Sequence, residues 1–252
     1  MWKSIRIIAL LLILLVVAIN AWRDQNQNWD RPVTVLLHPI NADQRSSTQQ
    51  YIDQLTIDQF KDIQKYLSSA AAPYRIQPVY FYFQLGRPLQ QLPPKVPEQA
   101  GLIDVILWSL KFRFYAWKNS MSQEGSPSVT LYLNFYDPQF NRILKHSTAL
   151  EKGRIGSVNL FASSKQAQQN QIVLVHELLH AFGASDKYDL NTGLPLYPQG
   201  YTDPHLQPLY PQKRAEIMTG HIPLSADKSR MAENLQQTMV SRQTATEIGW
   251  LK

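Results

Sequence analysis

The pattern His-Glu-Leu-Leu-His at residues 176–180 constrains the fold of this chain more than any other stretch. Histidines four residues apart lie on the same face of an α-helix, about one turn from each other. Both imidazoles could then reach one metal ion, and Glu177 would be placed to act on a water held by that metal. The competing interpretation is a buried helix that carries these residues by chance, which a shuffled composition would produce in roughly a few chains per thousand. The pattern therefore predicts a helix that holds a metal, with zinc the best match.

Composition limits the classes of function that remain. The chain has 252 residues, of which 44% are hydrophobic and 17% charged, as in a globular protein that buries a substantial core. Its net charge is +6, but the lysines and arginines are scattered, which favours a generally basic surface over a nucleic-acid site. Because there is no cysteine, disulfides, thiolate zinc sites and cysteine nucleophiles are excluded.

The N-terminus predicts export. Lys3 and Arg6 precede an unbroken apolar run at residues 7–19, and Arg23 marks the return to water. Such a segment is typical of a signal anchor or a cleaved signal peptide, and its length together with the poor cleavage sites favours the anchor. The positive end stays in the cytoplasm, so residues 23–252 are expected on the periplasmic or extracellular side, or secreted if the segment is cleaved. We assign residues 1–22 to this segment, 23–31 to a linker and 32–252 to the folded domain that carries the histidine motif.

Hydrophobic patterning predicts a mixed α+β domain, with the metal helix packed beneath a twisted sheet. Strands are predicted at residues 32–40, 75–85, 128–136, 142–149 and 154–162. Pro78 indicates that the second of these lies at an edge of the sheet or starts late. The strand at 142–149 is expected to pair with the strand at 128–136. Helices are predicted at residues 46–68, 102–118 and 225–242, and the helix at 102–118 is expected to be buried. The metal helix is predicted to begin at residue 165 or 168 and to end at 182. A capping box formed by Thr244 and Glu247 predicts the start of a final short helix. Residues 87–101 and 194–212 are rich in proline and are predicted to be loops.

A catalytic zinc site usually has three protein ligands, so a third must join the two histidines. Gly183 follows His180 by three residues, where a residue without Cβ can end the helix in the left-handed conformation. The chain can then turn back and present the carboxylate of Asp186 to the same metal.

The spacing His176-Glu177-x-x-His180-x-x-Gly183-x-x-Asp186 resembles the zinc-binding consensus of the metzincin peptidases, in the variant with aspartate as third ligand found in snapalysin-like enzymes. Residues 216–220, with Met218 lying 32 positions after Asp186, are similar to the metzincin Met-turn. The resemblance implies a twisted mixed sheet, an active-site helix, C-terminal helices and one catalytic zinc ion.

Two positions depart from the common metzincin pattern. Asp186 stands where many members have histidine, and Gly220 stands where several have a tyrosine that stabilises the transition state. Candidates to replace that tyrosine come from the region after the motif helix: Tyr188, Tyr201, His205 and Tyr210. His221 is interpreted as a surface residue or as a residue that contacts the metal ligands without binding the metal.

The resemblance implies a zinc metalloendopeptidase that hydrolyses peptide bonds through a zinc-activated water, with Glu177 as general base and then general acid. We expect a peptide or protein substrate to bind as an added strand, with residues 154–162 as the edge. Two alternatives stay open: a gluzincin-type peptidase with Glu216 or Glu233 as third ligand, and a zinc-containing binding or scaffold protein without turnover.

Overall fold

A computed structural model of the chain describes residues 26–97, 101–120, 127–144, 147–150 and 154–251, together with 6–8, 11, 15 and 18. The described chain is a mixed α+β structure built on one five-stranded sheet. The strands are β1 (Val33–Asn41), β2 (Phe81–Leu85), β3 (Val129–Tyr136), β4 (Thr148–Ala149) and β5 (Ile155–Phe161). The helices are α1 (Ser46–Asp53), α2 (Lys61–Ala71), α3 (Leu102–Ser120), α4 (Ala167–Ala181) and α5 (Arg242–Glu247).

The strand order is β2-β1-β3-β5-β4. Neighbouring strands are parallel except that β4 runs antiparallel to β5 at the edge of the sheet. The C-terminal part adds short pairs: β6 (Ala215–Glu216) with β9 (Thr238–Met239), and β7 (His221–Pro223) with β8 (Ser229–Met231). This accords with the predicted class, and the late start and edge position of β2 are confirmed.

Helices cover both faces of the sheet, so its central strand is buried on both sides. Leu131 and Leu133 of β3 face the main core, which includes residues of α1, α2 and α4. Tyr132 points to the opposite face, where it packs against Phe112 of α3 at 5.9 Å between ring centroids. A parallel sheet covered in this way excludes water from its ladder and gives α4 a rigid surface on which to pack.

Two elements predicted before the metal helix are wrong in detail. The helix predicted at 46–68 is interrupted at Thr56, which is extended, although Ile52, Phe60 and Ile63 are buried in one core on both sides of the break. Periodicity reports the buried face and does not reveal the interruption. Among the described residues of the strand predicted at 142–149, only β4 is a strand, and it pairs with β5 because β1 and β5 already occupy both edges of β3.

The C-terminal region also differs from prediction. Residues 225–242 contain β8, a 3-10 turn at Leu235–Gln237 and β9 in place of the predicted helix. Serine, aspartate and asparagine compete with helix formation here: Ser225 binds Asp227, and the Asn234 side chain caps the 3-10 turn. The final helix is capped by Ser241 and not by Thr244, and Glu247 is its last residue.

The predicted linker and anchor are described only in part. Trp29, in the segment predicted as a linker, is buried against Phe182 at 4.8 Å between ring centroids and donates to the carbonyl of Ile248. The folded part of the chain thus includes this residue. Most of the predicted anchor, residues 1–22, lies outside the described residues. Within the part that is described, no helix has the length and apolar character needed to cross a membrane.

Candidate metal centre

Helix α4 carries the two histidines of the motif and is fixed on both sides. Its apolar residues, among them Val175, Leu178 and Leu179, are fully buried in the main core. Near the start of the helix, the side-chain amide of Asn170 accepts a hydrogen bond from the backbone N–H of Phe161, at the end of β5, and donates one to the carbonyl of the same residue. Because packing and these bonds hold the helix against the sheet, the histidines project from a rigid element.

Gly183 ends α4 in the manner predicted. Its φ of 101° is in the left-handed region, its amide donates to the carbonyl of His180, and the amide of Ala184 donates to Leu179. These two bonds form a Schellman motif. The turn also brings the carbonyl of Ala184 to 2.7 Å from His180 Nδ1. The same turn that ends the helix therefore orients one histidine ring.

Asp186 lies beside both histidines after this turn. Its Oδ1 atom is 3.1 Å from His176 Nε2 and 3.1 Å from His180 Nε2, while the two Nε2 atoms are 3.0 Å apart. The three ligand atoms form a nearly equilateral triangle. The structure thus brings the three predicted ligands together, and this group could hold a metal ion.

The hydrogen-bond partners of the histidine ring nitrogens indicate whether the atoms of the ligand triangle carry protons. His180 Nδ1 faces the carbonyl of Ala184, and His176 Nδ1 faces the carbonyl of Ile217 at 3.1 Å. A carbonyl accepts only, so we assign both protons to Nδ1, which leaves each Nε2 as an unprotonated acceptor. Two such nitrogens and a carboxylate oxygen converge on one point. These three electron-rich atoms repel one another unless a proton or a cation lies between them.

This donor set fits a metal ion. Two imidazole nitrogens and one carboxylate oxygen match a catalytic zinc site with three protein ligands, and both rings are oriented by backbone carbonyls, as is usual for metal-bound histidine. Ligand atoms on a tetrahedral ion are roughly 3.3 Å apart when each bond is about 2.0–2.1 Å. The observed triangle is a few tenths of an ångström tighter, so a small outward shift of the rings suffices.

Charge at the site favours a cation. Burial alone would raise the pKa of Asp186, but the adjacent rings of His176 and His180, in their protonated form, outweigh it and hold the pKa well below its usual range. Burial alone would lower the pKa of His176, but Asp186 and the negative charge of Glu177 outweigh it and raise the pKa. The acidic side chains thus stabilise positive charge at the ligand triangle.

The turn at residues 216–220 supports the candidate ligands through backbone contacts. Met218 is fully buried, and its carbonyl accepts from the amide of Lys187, next to Asp186. The preceding carbonyl, that of Ile217, is the partner of His176. The carboxylate of Glu216 accepts from the amide of Met218 inside the turn. The predicted Met-turn residue therefore lies in a turn that contacts both the histidine helix and the aspartate loop.

Two cavities meet at Glu177, which is itself buried. One, of about 600 Å³, borders the ligands and the edge strand β4, with Ser147, Thr148 and Ala149 on its wall. The other, of about 360 Å³, has a mostly apolar surface, to which Leu144, Phe161, Ile172, Val173 and Met231 contribute. Glu177 and His176 line both cavities. The glutamate therefore faces a cleft next to the candidate metal ligands.

The structure distinguishes the four residues that were predicted to replace the tyrosine absent at position 220, because only one of them lies at the cavities. Among the described residues that line the two cavities, Tyr188 is present, whereas Tyr201, His205 and Tyr210 are not. Tyr201 and Tyr210 pair through their hydroxyls at 2.9 Å. Burial, with further contributions from Asp186 and Glu177, raises the pKa of Tyr188 to about 12, so its hydroxyl keeps its proton and can donate.

His221, interpreted from sequence as a surface residue or as a residue next to the metal ligands, also lines the apolar cavity. Its position on β7 was not predicted, and the hairpin of β7 and β8 is what brings it there. The edge expected for substrate, residues 154–162, is covered in part: β5 pairs with β3 on one side, and on the other side β4 pairs with Gly156 and Ser157 and forms the edge there.

Neither Glu216 nor Glu233, the two glutamates of the gluzincin alternative, is placed to act as third metal ligand. Glu216 is fully buried and accepts hydrogen bonds from Ser241 and Thr244 in addition to its bond within the turn. Glu233 is largely exposed and lies 3.7 Å from Arg230. Among the described residues, the group that could hold a metal consists of His176, His180 and Asp186.

No protein-family model matches this chain, and a comparison with curated proteins gave no significant match.

Proposed function

We propose that the protein is a zinc-dependent endopeptidase of the metzincin type, exported and anchored by its N-terminal segment. The observation that carries the proposal is the convergence of His176 Nε2, His180 Nε2 and Asp186 Oδ1 next to the buried carboxylate of Glu177. Zinc is favoured over other metals because the site combines two imidazoles with one carboxylate and leaves a position open on the cleft side.

Glu177 is the residue proposed to move protons. It follows His176 directly on α4 and lines the cleft on the same side as the ligands. A zinc ion bound there would lower the pKa of water and polarise the scissile carbonyl. The carboxylate of Glu177 would accept a proton from the attacking water and then deliver it to the nitrogen of the leaving amine. No covalent intermediate with the chain is required, in agreement with the absence of cysteine.

The cleft suits an extended peptide. The outer edge of β4 borders the ligands, so a substrate strand could pair with residues 148–149 and pass the metal. The apolar cavity on the other side of Glu177 has room for a large hydrophobic side chain. We therefore expect cleavage next to a large apolar residue, with Tyr188 donating to the developing oxyanion.

Digestion of a peptide library tests the proposal. The full chain, purified in detergent with one equivalent of zinc, is compared with Glu177→Gln and with Glu233→Gln, which alters a glutamate outside the cleft. We expect Glu177→Gln to retain zinc and to lose roughly 10²–10⁴-fold in kcat, and Glu233→Gln to keep both. Zinc binding without cleavage by the unmodified chain, or equal cleavage by Glu177→Gln, would contradict the proposal; the first result would favour the scaffold alternative.

A further inference from the structure

Helix α3 exposes an apolar stripe on the side that faces away from the protein. Its members are each between 48% and 71% exposed: Ile103, Ile106, Leu107, Leu110, Phe114 and Trp117. At 3.6 residues per turn they occupy roughly 100° of the helix circumference. The sequence predicted a buried helix, and this is wrong, because only Trp108 and Phe112 on the opposite side are fully covered. An apolar stripe of this size on a surface helix indicates a binding surface.

The inner side of α3 is firmly attached, so the exposed stripe is not the result of a loose helix. Trp108 donates its indole proton to the carbonyl of Pro94 at 2.8 Å, and Phe112 and Tyr115 pack against Tyr132 of the sheet. The helix therefore presents its stripe on a fixed support.

The charges on α3 match a membrane surface. Lys111 and Lys118 are seven residues apart, both exposed, and follow one border of the stripe. The single acidic residue of the helix, Asp104, lies in the first turn, where it accepts from the amide of Gly101. A stripe that combines leucine, isoleucine, phenylalanine and tryptophan with lysines at its border is typical of helices that lie in the lipid headgroup region.

We propose that α3 docks on an anionic phospholipid bilayer, with its stripe toward the acyl chains and Lys111 and Lys118 toward the headgroup phosphates. The net charge of +6 favours anionic lipid and opposes a second copy of the same chain. The predicted anchor, residues 1–22, would leave residues 23–28 before the buried Trp29, at most roughly 20 Å of extended chain. This tether would keep the domain near the bilayer. The proposal does not require the metal centre to be active.

The absence of cysteine allows a direct test. Single-cysteine variants Leu110→Cys, in the stripe, and Leu224→Cys, a leucine that is 39% exposed outside α3, are labelled with an environment-sensitive fluorophore. The full chain is reconstituted in vesicles of phosphatidylcholine with phosphatidylglycerol, with or without bromine on the acyl chains. We expect at least about three-fold stronger quenching at position 110 than at position 224.

Two further comparisons separate lipid from protein as the occupant. Lys111→Gln combined with Lys118→Gln, or vesicles of phosphatidylcholine alone, should reduce the quenching at position 110. Equal quenching at both positions would overturn the proposal, and so would quenching that is unaffected by lipid charge. Unquenched label at position 110, together with disulfide-linked dimers of Leu110→Cys, would identify a second copy as the occupant and would also overturn it.

Discussion

Lys187 Nζ lies 2.7 Å from both carboxylate oxygens of Glu247, and Lys187 directly follows Asp186 in the chain. The same carboxylate accepts from the amide and hydroxyl of Ser185, the residue before Asp186. One side chain at the end of α5 therefore holds both neighbours of the third candidate ligand. Neither Lys187 nor Glu247 was predicted to belong to the site, because 60 positions separate them in the sequence.

Removing the charge of Glu247 tests the importance of this contact. Glu247→Gln leaves the ammonium of Lys187, which is 2% exposed, without its counter-charge. We expect a loss of about 3 kcal/mol in the free energy of unfolding, because a buried charge loses its partner. We also expect a roughly 10–100-fold loss in zinc affinity, as when groups that orient a metal ligand are changed. Urea unfolding and a zinc competition titration measure the two effects. Glu233→Gln, which alters an exposed ion pair, should change neither appreciably.

The pH dependence of this contact has a defined sign. Burial alone would raise the pKa of Glu247, but the hydrogen bonds from Lys187 and Ser185 outweigh it and lower the pKa below the usual 4.5. The carboxylate thus contributes its full stability above pH 4.5, and this contribution is lost as the pH falls through the lower pKa of the folded state. The stability difference between the unmodified chain and Glu247→Gln should therefore shrink on acidification. A difference that grows toward low pH would contradict this assignment.

Gly183→Ala should disturb both the fold and the metal centre. The φ of 101° at this position is unfavourable for alanine, and we expect a cost of about 1–2 kcal/mol. Any shift of the turn also moves the carbonyl of Ala184 away from His180, so zinc affinity should fall. Gly193→Ala is the matched control, because Gly193 also has positive φ, at 70°, but an added Cβ there meets no atom within 4 Å. It should lower stability and leave zinc affinity unchanged; an equal loss of affinity in both variants would contradict the proposed role of the turn.

Asp186→Ala tests the assignment of the third ligand. Removal of this carboxylate should lower zinc affinity by more than roughly 100-fold, a larger effect than expected for a residue that only orients a ligand. Asp189→Ala is the control, since Asp189 lies three positions later and binds Asn191 and Thr192 within its own turn. Calorimetric titration of zinc into both variants gives the comparison. Unchanged zinc affinity and stoichiometry in Asp186→Ala would rule out Asp186 as a ligand.

The sequence predicted the parts of the site that depend on short-range rules. The helix with its two histidines, the left-handed glycine and the position of Asp186 all lie within eleven consecutive residues, 176–186, where helical periodicity and turn chemistry determine the geometry. Strands β1 and β3 were also predictable, because apolar and β-branched residues dominate both.

What could not be predicted depends on contacts between distant segments. The exposure of the outer side of α3 cannot be inferred from a helix that is apolar on nearly all sides. The edge position of β4 follows from which strands pair, and a local pattern does not carry that information. The contact of Glu247 with Lys187 likewise forms only after α5 packs beside the turn that follows α4.

Zinc K-edge X-ray absorption of the full chain, loaded with one equivalent of zinc, tests directly whether His176, His180 and Asp186 bind the metal. The ligand triangle predicts scattering from two imidazoles and one carboxylate, with distances of roughly 2.0–2.2 Å from zinc to each ligand atom. Asp186→Ala should lose the carboxylate contribution and keep both imidazoles. A spectrum without imidazole scattering, or a chain that retains no zinc after dialysis, would contradict the proposed metal centre.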